Sequence, residues 1–138
     1  MSGRIWNDIA RARQGGPEAA WPPSADYLKG RGTVSRCAYQ LTPGFSPFQG
    51  HFEGRPVLPA LAQVLLAKDA AQAALGRELR IEAVVQAKFL ALVKPDSLLT
   101  VYAQAPEGGH GEWRFQLRNR PLGAQLENDV AFMRLKLV

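Results

Sequence analysis

The sequence predicts an α+β domain in which a curved antiparallel sheet wraps around one long central helix. The first sign is "ALAQVLLAKDAAQAAL", residues 60–75: strong helix formers that begin after Pro59, end at Gly76 and are apolar nearly all round. A helix without a polar face has to be covered on most sides. The second sign is what surrounds it, one strand-patterned segment before it and four after it. The third is size: 138 residues with 46% apolar and 21% charged composition suit one core and are too few for two ordinary domains. Residues 1–138 are therefore expected to form a single domain, with an N-terminal helix and Pro/Gly-rich loop over 1–29 and the core over 30–138.

Taken in order, "RIWNDIARARQ" carries Ile5, Ile9 and Ala12 at helical spacing and predicts a short amphipathic helix over residues 4–14. "GGPEAAWPPSAD" stops it and predicts a loop packed irregularly around Trp21. "GTVSRCAYQL" alternates apolar and polar residues, as a half-buried strand does, until "TPG" ends it. Residues 42–59 hold four prolines and three glycines, too many for a regular element. Between them stand Phe45, Phe48, Phe52, Val57 and Leu58, so this loop is expected to be packed. After the central helix, "RIEAVVQAKFLALV", "SLLTVYAQA", "EWRFQLRN" and "AQLENDVAFMRLKLV" read as strands separated by turns, an antiparallel meander. A small wrapped sheet of this kind leaves an edge unpaired, and dimerisation would close it.

Composition narrows the functional classes. No stretch is long and apolar enough to span a membrane, and "MSGRIWNDIARARQGG" lacks the apolar centre of a signal peptide, so a cytoplasmic location is expected. The only cysteine, Cys37, and two histidines do not make a zinc site of the usual Cys/His type, and no metal is expected. A formal charge of +5 and a pI near 9.8 favour an acidic partner. The cationic residues are dispersed along the chain without a basic run interleaved with aromatics, which argues against nucleic acid and for a solvated basic surface or an acidic protein partner.

The chemistry concentrates in "FQGHFEGRPVLPALAQ", residues 48–63. His110, in the glycine-rich "EGGHGEW", is read as an exposed turn residue, whereas His51 lies in a restrained apolar loop eight residues ahead of Pro59. The N-terminus of a helix offers free backbone N–H groups and a partial positive charge, suited to an oxygen that becomes negative during reaction. A histidine beside it could move a proton on a substrate whose carbonyl those groups hold, the chemistry of enolising a thioester. The residues leave a second role open, a histidine that only braces the turn through a hydrogen bond.

"GHFEGRPVLPALAQ" resembles the signature of the β-hydroxyacyl-acyl-carrier-protein dehydratases, Gly-His-Phe-Pro-Gly-x-Pro followed by two apolar residues and Pro-Gly. The match covers Gly50, His51, Phe52, Gly54, Pro56, Val57, Leu58 and Pro59. "QAKFLALVKPDSLLTV" is similar to the family's later segment, an Ala-Lys-Phe stretch followed by a Val-x-Pro-Gly-Asp turn. The resemblance implies a hot dog fold, a dimer with sites at the subunit interface, and an acyl thioester on an acyl carrier protein as substrate. It implies removal of water from a 3-hydroxyacyl thioester to give the trans-2-enoyl product, without metal or cofactor. His51 takes the place of the histidine that removes the C2 proton, and Ala60 that of the glycine whose N–H binds the thioester carbonyl. Val57, Ala60, Leu61 and Leu65 are the expected substrate-contacting positions.

Two departures matter. Glu53 replaces the signature's first proline, and Leu65 stands where the family has the Glu or Asp that helps expel the hydroxyl. Asp69, one turn further on the same helical face, is the candidate relocated acid, about 5 to 6 Å along the axis. The alternative is that Lys68, Asp69 and Gln72 form a polar edge held by a Lys or Arg contact. Three functions follow: a dehydratase with an altered acid, an acyl thioesterase of the same fold, or a non-catalytic acyl-binding or dimerisation module. A homodimer, a higher even oligomer, or a hetero-oligomer in which another subunit supplies the acid is expected.

Overall fold

The computed structural model describes residues 3–23, 27–28, 32–49, 54, 56–109 and 111–138. Helix α1 (Gly3–Ala12) is followed by strands β1 (Glu18–Ala19) and β2 (Val34–Leu41) and a short 3-10 turn at Ser46–Phe48. Helix α2 (Ala60–Leu75) precedes strands β3 (Ile81–Phe89), β4 (Ser97–Gln104), β5 (Gly111–Pro121) and β6 (Asn128–Leu137). The expected helix over 60–75 is met at both ends. Pro59 enters in extended geometry, and Gly76, in the left-handed region at φ 75°, donates its N–H to the Gln72 carbonyl at 2.8 Å. Residues 62–67 and 69–71 of α2 are buried, as an all-round apolar helix requires.

All six strands form one antiparallel sheet in the order β1-β2-β4-β5-β6-β3. The meander is realised only in β4-β5-β6. The "KPD" turn does not fold β3 back on β4: β3 pairs with β6 at one edge, and β4 lies beside β2. Residues 90–96 cross between these positions because Val93 is fully buried and its carbonyl accepts the Leu58 N–H at 2.7 Å. The crossing thus fastens the proline loop just ahead of α2. At its end the Asp96 N–H reaches the Leu41 carbonyl at 2.7 Å.

Alternation within each strand divides the sheet into two faces. Cys37, Tyr39 and Leu41 of β2, Leu99 and Val101 of β4, Phe115 and Leu117 of β5 and Met133 and Leu135 of β6 join α2 in one core. α1 lies against β2 and the Ser46–Phe48 turn, with Ile9 and Ala12 buried in that core. The loop after α1 does not pack around Trp21, which is 91% exposed. The packing comes later, from Tyr27 and Leu28 with Val34 and Tyr102. The Tyr27 hydroxyl donates to the Met133 carbonyl at 2.8 Å and its ring lies 4.6 Å from Phe132.

Candidate active site

The loop that carries the signature joins the sheet to the buried helix. His51, with Gly50, Phe52, Glu53 and Arg55, lies outside the described residues, as does His110. What is described is the frame on either side. Phe45 and Phe48 are buried, with ring centroids 6.0 Å apart and an edge-on angle of 73°, so the loop's approach is packed, as its composition predicts. On the far side Leu58 is buried and pinned to Val93.

Among the described residues no side chain caps the start of α2, and its first turn holds no acidic residue. Ala60 and Leu61 are exposed there, at the end of the helix where backbone N–H groups lack intrahelical partners and the helix dipole is positive. Among the described residues Asp96 is the only non-glycine with positive φ, so Ala60 sits in ordinary helical geometry and the methyl group that replaces the family's glycine hydrogen costs the backbone nothing. A groove of about 630 Å³ runs beside this end, lined by Pro43, Gly54, Pro56, Val57, Leu92, Lys94, Pro95 and Asp96. Val57 is in its wall, and Leu61 is 59% exposed on the first turn of α2. Leu65 is 4% exposed and belongs to the core.

Asp69, at i+4 from Leu65, is also buried. Its carboxylate takes three hydrogen bonds: two from Arg13 Nη1, at 3.0 Å to Oδ1 and 2.9 Å to Oδ2, and one from the Tyr39 hydroxyl at 2.6 Å to Oδ2. Burial pushes the Tyr39 phenol far above its ordinary pKa, and the Asp69 charge pushes it further, so the hydroxyl stays a donor. Burial works to lower the Arg13 pKa, but the carboxylate's charge and hydrogen bonds outweigh it and the net direction is up. The expected Arg contact at Asp69 thus exists, and it comes from the end of α1. Lys68 turns away, its Nζ 4.6 Å from the centroid of the Trp6 ring, and Gln72 accepts the Leu79 N–H at 3.0 Å.

The sequence reading did not single out Arg13 and Tyr39. The available signal was Asp69 itself, because an aspartate inside an otherwise apolar helix needs a buried cation or hydroxyl to meet it. Gln63 was missed as well: it is 3% exposed, and its amide oxygen has no hydrogen-bond partner among the described residues. Among the described residues no group of three His, Cys, Asp or Glu side chains could hold a metal ion, and no helix is long and apolar enough to cross a membrane.

A family model described as ApeI-like, ApeI dehydratase, matches residues 29–126. No curated protein matches the chain in sequence. Among solved structures, an uncharacterized protein from Erwinia carotovora subsp. atroseptica superposes with a TM-score of 0.69 at 19% identity, covering 91% of each chain. The dehydratase heterocomplex ApeI:P from Xenorhabdus doucetiae gives a TM-score of 0.64 at 21% identity over 80% of this chain and 90% of its own. An acyl-CoA hydrolase from Staphylococcus aureus gives 0.56 at 16% identity over 76% of this chain and 63% of its own. The fold is the hot dog fold, met here with dehydratase and hydrolase chemistries alike.

Proposed function

The chain belongs to the ApeI-like dehydratase family, and from that premise we propose that it removes water from a (3R)-hydroxyacyl thioester, presented on an acyl carrier protein, to leave the trans-2-enoyl thioester. The observation that carries this reading is the exposed first turn of α2, uncapped among the described residues, directly after the histidine signature. The Ala60 N–H donates to the thioester carbonyl as it gains charge, and His51 takes the C2 proton. Val57 and Leu61 supply apolar surface at the mouth, and Leu65 lies behind them within the core.

The hydroxyl leaves from C3 as water and needs a proton. Leu65 cannot give one, and both oxygens of Asp69 are already held by Arg13 and Tyr39. The proton that His51 has taken supplies this need: the imidazolium formed in the first step returns it to the hydroxyl in the second. A second reading draws on the same two facts and on the likeness to a dehydratase heterocomplex: a carboxylate reaches the site from another chain.

The test is to incubate the purified protein with a 3-hydroxyacyl carrier-protein thioester and weigh the carrier. Loss of one water with the thioester intact is the expected result. Release of the free thiol would instead support hydrolysis, and an unchanged carrier a binding module. An Asp69→Asn variant that stays folded but loses all turnover would restore the relocated-acid assignment.

A further inference from the structure

Helix α2 buries a polar side chain that the surrounding core does not answer. Gln63 is 3% exposed, and its amide oxygen has no hydrogen-bond partner among the described residues. Gln72, further along the same helix, shows the ordinary arrangement, its oxygen accepting the Leu79 N–H. The layer beneath α2 has no hydroxyl to spare for Gln63. α2 lies over β4 and β2, and the hydroxyls these strands bring inward are engaged, Tyr39 with Asp69 and Ser97 with the Lys94 carbonyl. A buried amide oxygen left unpaired is unfavourable and rare, so its donor has to arrive from outside this core.

The helix sets the direction from which it arrives. Side chains of an α-helix lean toward its N-terminus and cover the preceding turn. Gln63 therefore leans over the turn that begins at Ala60, the uncapped end of α2. Residues three apart, as Ala60 and Gln63 are, lie about 60° apart round the axis and about 5 to 6 Å apart between Cβ atoms. An acceptor for a hydroxyl thus stands beside the donor for a carbonyl. A 3-hydroxyacyl thioester carries its carbonyl oxygen on C1 and its hydroxyl on C3, so one bound molecule spans the two groups.

We infer that the Gln63 amide oxygen accepts a hydrogen bond from the C3 hydroxyl of a 3-hydroxyacyl thioester whose carbonyl is held by the Ala60 N–H. The inference rests on the dehydratase reading for its substrate class, and it names the residue that recognises the leaving group. Leu65 cannot hold that hydroxyl, and the Asp69 oxygens are engaged by Arg13 and Tyr39. As His51 takes the C2 proton, the C2–H electron pair becomes the C2=C3 bond. The C3–O pair leaves with the oxygen, and the imidazolium proton joins that oxygen to complete water. The hydrogen already on the oxygen stays on Gln63. It becomes more acidic as the second proton arrives, so this hydrogen bond strengthens toward the transition state.

The test reads binding and needs no turnover. In a His51→Ala background, which stops the proposed chemistry, a 3-hydroxyoctanoyl carrier-protein thioester and the octanoyl thioester are titrated by calorimetry. The hydroxyl should tighten binding by about tenfold or more, and Gln63→Met should abolish that preference while leaving octanoyl affinity within about twofold. Gln63→Leu should behave alike. Because apolar atoms replace an unpaired buried oxygen, both variants should melt at or above the temperature of the background protein. Equal affinity of the background protein for the two thioesters, no binding of the hydroxyacyl thioester, or a hydroxyl preference that survives both substitutions would overturn the inference. So would a lower melting temperature in both variants, which would show that the oxygen already has a donor within the chain. Failure of the parent chain to dehydrate the same thioester would overturn the proposed function and leave this comparison its own answer, so the two failures are told apart.

Discussion

Replacing Asp69 by Asn separates the two roles that its position allows. The side chain keeps its size but loses its charge. Three hydrogen bonds of 2.6 to 3.0 Å then become weaker or are lost, and Arg13 is left facing a neutral amide. Removing one partner of a fully buried ion pair costs about 3 to 5 kcal/mol. The Asp69 side chain is 12% exposed but that of Arg13 is 31% exposed and keeps part of its hydration, which lowers the expectation to about 2 to 3 kcal/mol. For a chain of this size that is a fall in melting temperature of roughly 6 to 15 °C. Urea unfolding of Asp69→Asn, Tyr39→Phe and the double variant gives the coupling between the carboxylate and the phenol, expected at about 1.5 to 3 kcal/mol for a charge-assisted bond. The folded fraction of Asp69→Asn should retain its turnover. Unchanged stability with turnover abolished would refute the reasoning and return Asp69 to the chemistry.

Three further outcomes follow from particular residues. Burial raises the Tyr39 pKa above the ordinary value of 10.0, so its stabilising effect is complete below pH 10 and is lost as pH rises toward the folded value. Stability should thus fall above pH 10 by about 1.4 kcal/mol per pH unit from this group, and urea titrations of Tyr39→Phe should lack that component. Asp96 holds φ 59° between bonds to Leu41 and Leu122, where the resembling family has a Pro-Gly-Asp turn. Asp96→Gly should relieve the left-handed strain and raise the unfolding free energy by about 0.5 to 1 kcal/mol in urea titrations, and a loss of stability would mean that the carboxylate outweighs the strain. Because Ala60 sits in helical geometry, the proposed role of its N–H does not depend on the side chain, and Ala60→Gly should leave kcat and KM within about twofold while costing up to about 1 kcal/mol of stability. A large gain in kcat would mean that the methyl group obstructs the carbonyl.

How much was legible in the sequence depended on how local the cause was. Residues 60–75 were bounded correctly because Pro59 and Gly76 act on their own dihedral angles, and the burial of α2 followed from its lack of a polar face. The strands were located by alternation, but β3 was misplaced in the sheet, since a turn signal at 94–96 does not reveal that Val93 is needed beneath Leu58. Trp21 was assigned to packing on its size alone, and it stands in solvent. Near the proposed site, Val57 and Ala60 were placed by the contiguous spacing of the signature, and they lie in the groove wall and on the first turn of α2. Arg13 and Tyr39 could not be placed so, lying 56 and 30 residues from Asp69 and meeting it only once α1, β2 and α2 have packed.

The central claim is that His51 moves the proton at C2 of a thioester whose carbonyl rests on the open end of α2. Run in reverse in deuterated water, the reaction adds water across a trans-2-enoyl carrier-protein thioester. The parent chain should place one deuterium at C2 of the 3-hydroxyacyl product, and a folded His51→Ala variant should place none. Deuterium incorporated by that variant at the parent rate would contradict the account.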